Sequence, residues 1–211
     1  YQALVSHVKP RVLLGLTATP ERADGADIRD DFDGAFTHEI RLPEAIDRAL
    51  LCPFHYYGIP DLEGLDFSSL AWRRGGYDAD ELAAQIESNG ARANWVIAQA
   101  GHHLADLSQV RGIGFCVSIK HAEFMATYCT QQGLPSVALT AESPREVRLQ
   151  VQRQLEMREI RFIFTVDLYN EGVDIPCVDT VLFLRPTESL TVFLQQLGRG
   201  LRLHDEKSHL T

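Results

Sequence analysis

The chain has 211 residues, 45% of them hydrophobic and 23% charged, which is ordinary for a globular protein and excludes a disordered or collagen-like chain. No apolar run approaches the roughly 20 residues of a membrane-spanning helix, and residues 1–12 lack the pattern of a signal peptide. The net charge of −9 argues against a protein that coats nucleic acid through a general basic surface.

The N-terminal part of the sequence predicts few regular elements. Residues 12–17 form an apolar run that ends in a Thr-Ala-Thr-Pro turn, and this pattern predicts a buried strand. Residues 43–50 predict a short helix with a proline at its start, and residues 54–59 predict a strand. Residues 60–77 hold one proline and three glycines, and predict an exposed connector.

From residue 79 onward the pattern becomes regular. Two helices are predicted at 79–88 and 91–107, and a capping box is predicted at Ser143 and Glu146. Strands and helices then alternate, which predicts an α/β fold with a parallel sheet, helices on both faces and a ligand site at the carboxyl ends of the strands. The predicted strands are 112–118, 136–140, 161–166 and 180–185, and the predicted helices are 119–132, 144–157 and 189–202.

The cysteines and the histidine pair do not suggest a metal site. Cys52, Cys116, Cys129 and Cys177 are widely spaced, which predicts free thiols of an intracellular protein and a cytoplasmic location. His102 and His103 are adjacent and would point in different directions on a helix, so we expect an exposed pair.

The acidic excess lies in residues 1–90, which carry 8 basic and 16 acidic side chains, whereas residues 91–211 carry 12 and 13. The near-neutral part leaves room for a local phosphate site. Only three of the 20 basic residues are lysines, Lys9, Lys120 and Lys207. Arginine is the side chain suited to bidentate phosphate contacts.

Four segments stand out by their order along the chain. They are G-L-T-A-T-P at 15–20, the predicted strand–helix junction at 116–120, the run at 165–176 that contains N-E-G-V-D-I-P, and the run at 195–202 with the pattern Q-x-x-G-R-x-x-R. Each alone is explained by a strand exit, a turn or a solvated basic helix end. Together they resemble motifs III, IV, V and VI of superfamily 2 helicases and translocases. The chain resembles most the bacterial type III restriction-enzyme and UvrB-like members, because DEAD-box RNA helicases have His at the position of Gln195.

The resemblance implies a RecA-like fold and a division of the chain. Residues 1–45 would be the tail of lobe 1, 46–77 a connector, and 78–211 lobe 2, the helicase C-terminal domain. Neither the P-loop nor the acidic Mg²⁺ motif of lobe 1 occurs in the sequence. The resemblance therefore implies that ATP and Mg²⁺ are cofactors of the intact parent, with Mg²⁺ ligands in a missing N-terminal lobe, and that this stretch alone is inactive.

Residue roles follow from the resemblance. Arg199 and Arg202 would be catalytic and reach the terminal phosphate of the nucleotide, and their spacing predicts one shared helical face. The nucleotide would also contact Gly172, Asp174 and Gln195. Thr17 and Thr19 would couple the nucleotide state to lobe movement.

The expected partner is single- or double-stranded nucleic acid, DNA rather than RNA, crossing the carboxyl edge of the sheet. Contacts to phosphate oxygens carry no sequence information, so binding would be independent of sequence. An alternative is a non-enzymatic RecA-like docking module for protein or nucleic acid, which a P-loop upstream in the gene would argue against. The candidate nucleic-acid contacts are Ser118, Lys120, Thr140, Thr165 and Asp167.

Overall fold

The computed structural model describes most of the chain, and the structural statements below refer to those residues. They are 7–8, 11–17, 20, 27–32, 34–62, 72–73, 76–77, 79–87, 89–166, 175–186 and 189–211. Within them, no helix is long and apolar enough to cross a bilayer.

The regular elements follow in chain order, with two short 3₁₀ turns at Ile28–Asp31 and Leu107–Gln109. They are α1 (Leu42–Asp47), β1 (Trp72–Arg73), β2 (Gly76–Tyr77), α2 (Ala79–Ile86), α3 (Gly90–His103), β3 (Gly112–Phe115), α4 (Ile119–Gln131), β4 (Ser136–Leu139), α5 (Arg145–Glu156), β5 (Phe162–Thr165), β6 (Thr180–Phe183) and α6 (Leu190–Leu197).

A four-stranded parallel sheet with the order β4-β5-β3-β6 organises the structure. The two inner strands, β5 and β3, are buried at every position, because helices cover the sheet on both sides. Strands β1 and β2 form a separate antiparallel pair. The predicted α/β fold with a doubly covered parallel sheet is confirmed.

The two faces of the sheet carry separate apolar layers. On one face Phe162 and Phe164 pack with Met125 of α4 and Ala93 of α3. On the other face, alternate strand residues such as Ile163 pack with side chains from α5 and α6. The strict alternation along β5 explains why one short strand serves both layers.

Most elements lie where the sequence predicts them, although the strands and α3 are shorter. Strand β3 stops at Phe115 and α3 stops at His103. Helix α4 ends as predicted before Gly133, whose φ of +80° is a conformation that glycine adopts without strain.

The prediction of a buried strand at residues 12–17 is wrong. The segment is irregular and exposed, with Leu16 at 89% exposure. Its backbone meets no neighbouring strand among the described residues, and a strand needs such a partner for its N–H and C=O groups.

The predicted strand at residues 54–59 is reduced to one bridge. Phe54 pairs with Leu210, and Thr211 then bonds to Asp179 and Val181 at the edge of β6. Beyond that point a cleft of about 600 Å³ separates residues 55–60 from β6, so their backbones cannot pair. None of the described candidate site residues lines this cleft.

The capping box predicted at Ser143 is also wrong. Pro144 is the N-cap residue of α5, and it makes no side-chain capping bond. Ser143 Oγ instead accepts a hydrogen bond from Thr140 N at 3.0 Å, and Arg148 donates to the carbonyls of Ser143 and Ala141. The serine therefore closes the turn at residues 140–143, before the helix. In a capping box its hydroxyl would instead accept from a backbone N–H in the first turn of the helix.

Substitution of a glycine in β3 tests this packing. A Cβ on Gly114 would lie 2.4 Å from Cδ1 of Phe164 in the neighbouring strand. We expect Gly114→Ala to lower the free energy of unfolding by about 1–3 kcal/mol, because the ring has no room to move. Urea denaturation of the two proteins measures the difference.

The matched control is Gly101→Ala at an exposed position of α3, where a Cβ meets only Leu107 at an ordinary 3.4 Å. This change should raise stability by about 0.5–1 kcal/mol, since alanine restricts the unfolded chain. Equal effects of the two substitutions would contradict the packing described for β3.

Candidate nucleotide and nucleic-acid site

The carboxyl end of β5 is fully enclosed. Thr165 has no exposed surface, and its hydroxyl oxygen has no hydrogen-bond partner among the described residues. Its carbonyl accepts a hydrogen bond from Cys116 N at 2.7 Å, which joins the ends of β5 and β3. Thr165 therefore lies beneath the surface, and the prediction that it contacts nucleic acid does not fit its burial.

Ser118 follows β3 and is the N-cap residue of α4. Its hydroxyl accepts a hydrogen bond from His121 N at 3.1 Å and donates one to the Glu87 carboxylate just beyond the end of α2. The hydroxyl is thus occupied, and a carboxylate stands beside it. Lys120, two residues on, is exposed on the first turn of α4.

Thr140 is half-buried at the end of β4, where its backbone N–H is held by Ser143. The structure therefore places the exposed Lys120 and the half-buried Thr140 at carboxyl ends of strands, as the sequence predicts. Asp167 lies outside the described residues.

A partly buried ion pair links α3 to Asp61. Arg92 on α3 has 8% of its surface exposed, and its Nε lies 2.9 Å from Asp61 Oδ2. Its Nη2 also donates to the carbonyl of Leu184 at 3.2 Å, just after β6. Arg92 therefore ties the segment before α2 to the end of an edge strand. No sequence signal pointed to it.

His121 is buried next to this pair. Burial, together with the nearby Arg92 guanidinium, lowers the pKa of its imidazole to about 4, so the ring is neutral at pH 7. Its Nδ1 accepts a hydrogen bond from Val117 N at 3.4 Å. The histidine supports the turn between β3 and α4.

The predicted shared helical face of Arg199 and Arg202 is wrong. Helix α6 ends at Leu197, and turns follow at residues 198–200. Arg199 N and Gly200 N donate to carbonyls three residues back, which tightens the chain out of the α-helix. Arg199 is half-buried in this turn and Arg202 is exposed beyond it.

Gly200 is required at this turn. A Cβ there would lie 2.3 Å from Cδ1 of Leu210. Its carbonyl accepts from Lys207 Nζ at 2.9 Å, and the next carbonyl, that of Leu201, accepts from Cys52 N at 2.9 Å. The backbone at residues 200 and 201, between the two arginines, is therefore held by bonds from two other parts of the chain.

Gln195 is half-buried in the last turn of α6, and its neighbour Gln196 is fully buried. Thr17 is exposed in the irregular segment 11–17. The predicted nucleotide residues Gly172 and Asp174, and the coupling residue Thr19, lie outside the described residues.

Sequence reasoning missed Lys207. This side chain is 9% exposed, and its ammonium group bonds to three backbone carbonyls. The only signal was its rarity, as one of three lysines in an arginine-rich chain, five positions after Arg202.

The four cysteines are buried free thiols, as predicted. Burial raises the pKa of the Cys129 thiol to about 12, so it is protonated at neutral pH. His102 and His103 are both exposed at the end of α3, and His103 stacks on Tyr57 at 4.1 Å between ring centroids.

A parallel sheet with helices on both faces, followed by the Q-x-x-G-R-x-x-R turn, defines a helicase-type C-terminal lobe. The model of the family "Helicase conserved C-terminal domain" matches residues 97–204, more than half of the chain. The chain belongs to this family, and it is a superfamily 2 helicase C-terminal lobe.

Known proteins that are similar in sequence to this chain over nearly its whole length include the following two. One is a 51.5 kDa protein of a Lactococcus phage (isolate 7-9), 26% identical over 99% of this chain and 44% of that protein. The other is the putative ATP-dependent helicase IRC3 of Saccharomyces cerevisiae, 25% identical over 99% of this chain and 31% of that protein. The chain thus spans less than half the length of these relatives.

A solved structure is similar over the full chain. It is a fragment of a putative HsdR subunit of a type I restriction enzyme from Vibrio vulnificus YJ016, with a TM-score of 0.70 and 20% identity. The match covers 100% of this chain and 41% of the other. At this identity the likeness supports the fold.

The burial of His121 as a neutral ring can be tested by measuring the stability of the chain as a function of pH. Because its pKa is lowered in the folded state, the unfolded state binds the extra proton between about pH 6.5 and pH 4, so stability is present above that window and lost as pH falls through it. We expect this loss to be about 3 kcal/mol in the natural chain. It should be absent in His121→Phe, as measured by urea denaturation at several pH values.

The control is His102→Phe, whose ring is exposed on α3. It should keep the full pH dependence of the natural chain. An unchanged pH dependence in His121→Phe would show that the imidazole is not buried as a neutral ring.

Proposed function

We propose that this chain is the C-terminal motor lobe of an ATP-dependent DNA helicase or translocase, and that Arg199 and Arg202 are its arginine fingers. The observation that carries the proposal is the fixed turn at residues 198–202, which leaves Arg202 exposed and Arg199 half-exposed. A merely solvated basic helix end needs no buried clamp on its backbone. The family match supports the same assignment.

The chemistry suits two guanidinium groups at one turn. In ATP hydrolysis the transferred γ-phosphoryl group spreads negative charge over its oxygens, and an arginine from a facing lobe stabilises that charge. The planar guanidinium matches phosphate oxygens in a bidentate manner. Gln195 would contact the nucleotide beside them, and Gly172 and Asp174 are proposed as further nucleotide contacts.

The rest of the nucleotide site would come from an N-terminal RecA-like lobe of the same protein. The sequence holds no P-loop, and the described residues contain no group of three or more His, Cys, Asp or Glu that could hold a metal ion. ATP, when bound, supplies the phosphoryl group and Mg²⁺ neutralises its charge. We propose residues 1–45 as the tail of that lobe, with Thr17 and Thr19 coupling the lobes, 46–77 as the connector, and 78–211 as lobe 2.

Nucleic acid would cross the carboxyl edge of the sheet. Lys120 and Thr140 have the exposure for phosphate contacts, whereas the hydroxyl of Ser118 would first have to leave Glu87. Asp167 would lie on the same path. DNA is favoured over RNA because Gln195 stands where DEAD-box RNA helicases have His.

The arginine fingers can be tested in the intact two-lobe protein. We expect Arg199→Ala or Arg202→Ala to reduce ATP turnover by about 10³-fold, because the finger acts on charge that develops in the transition state. The KM for ATP should change much less. Lysine at either position should rescue poorly, since it lacks the planar fork.

Steady-state kinetics with thermal melting measures both effects. The matched control is Arg153→Ala, an exposed arginine on α5, which should keep normal turnover. Normal turnover in both finger variants would remove the assignment and favour a docking module.

The isolated 211-residue chain offers a second test. Without a P-loop it should show no ATPase above background, and it should bind single-stranded DNA weakly and without sequence preference. Affinity should fall as salt rises, because phosphate contacts release counterions. Fluorescence anisotropy across a salt series measures this, and tight binding that ignores salt would contradict the proposed phosphate track.

A further inference from the structure

Lys207 carries a buried charge that the proposed chemistry does not use. Its ammonium group donates to the carbonyls of Pro176, Val178 and Gly200 at 2.9, 2.8 and 2.9 Å. An ammonium group has three donors, so every one is satisfied. No carboxylate takes part in these bonds.

The three carbonyls belong to two different parts of the chain. Gly200 lies in the turn between Arg199 and Arg202. Pro176 and Val178 lie in the segment before β6, where the sequence run 165–176 ends. One side chain therefore joins the two segments that the family resemblance assigns to the nucleotide.

The neighbouring residue anchors the same segment from the opposite side. Glu206 accepts from the buried Arg111 at 2.9 Å and from Arg158 at 3.1 Å. Arg111 in turn bonds to Asp179, directly before β6. Through Arg111, the residue next to Lys207 in the chain is linked to Asp179, the residue before β6.

Such a charge is costly for stability alone. Burial lowers the pKa of Lys207, which reflects the cost of removing an ammonium group from water. An apolar side chain of similar volume would fill the space with less desolvation. Unlike an apolar side chain, the ammonium group makes three hydrogen bonds, and these hold three carbonyl groups at defined positions.

We propose that Lys207 is a positioning residue that holds the backbone at Gly200, between Arg199 and Arg202, in register with the segment 176–178 that precedes β6. This inference rests on the proposed function, because it assumes that the two arginines act on ATP. Lys207 does not touch the nucleotide and acts through the turn.

The test uses the intact two-lobe protein and the variant Lys207→Met. Loss of the clamp should lower kcat for ATP hydrolysis by about 10²-fold, the effect of a displacement near 1 Å at a reacting centre, with little change in KM. In an Arg202→Ala background the same substitution should add much less, because residues that act through one another are not additive.

The matched control is Arg161→Met, which also removes a cation bonded to backbone carbonyls, those of Arg158 and Ile160, at the start of β5. It should lower the melting temperature without changing kcat at a temperature where the protein is folded. If Lys207→Met does not fold, Lys207→Gln, which keeps two neutral donors, enters the same scheme.

The outcomes are separable. Equal kcat in the Lys207 variants and the natural protein, or a full additive loss in the Arg202→Ala background, overturns the positioning role and leaves the proposed function intact. An intact protein that hydrolyses no ATP overturns the proposed function, and this inference with it.

Discussion

The close approach of β3 and β5 is the constraint on which the rest of the structure depends. Gly112 and Gly114 leave no Cβ on one face of β3, and the rings of Phe162 and Phe164 fill that space from β5. The rings present an apolar surface to α3 and α4, while Ile113 and Ile163 serve α5 and α6 on the other face. Both helical layers are therefore placed by one pair of strands.

Buried cations then connect segments that are distant in sequence. Arg92 links Asp61 to the end of β6, Arg111 links Asp179 to Glu206, and Lys207 links two loops through their carbonyls. Each cation lies at an end of the sheet, where loop backbones would otherwise keep unpaired groups. The apolar layers build the lobe, and these charges decide where its loops lie.

The separate roles of the apolar layers and the buried cations are relevant to the proposed motor. In the proposed motor the two lobes would move against each other, and the turn bonded to Lys207 would carry Arg199 and Arg202 as a unit. In the segment 11–17, by contrast, the apolar side chains of Val12, Leu14 and Leu16 are between 76% and 89% exposed.

The sequence by itself determined the helices and strands from residue 79 onward and the family. The spacing of their apolar residues indicates which face of each helix or strand is buried. The Q-x-x-G-R-x-x-R pattern is local in sequence. It did not determine whether residues 12–17 find a neighbouring strand, because pairing depends on distant backbone. It placed Arg199 and Arg202 on a helix that in fact ends at Leu197.

Only the tertiary structure decided the state of the site. Thr165 is buried only because of the surrounding fold. Glu87 bonds to Ser118 and Lys207 bonds to Val178 across 31 and 29 positions of the chain. A hydroxyl or an ammonium group looks equally available in any sequence, and its partners depend on which backbones the folded sheet brings within hydrogen-bond distance.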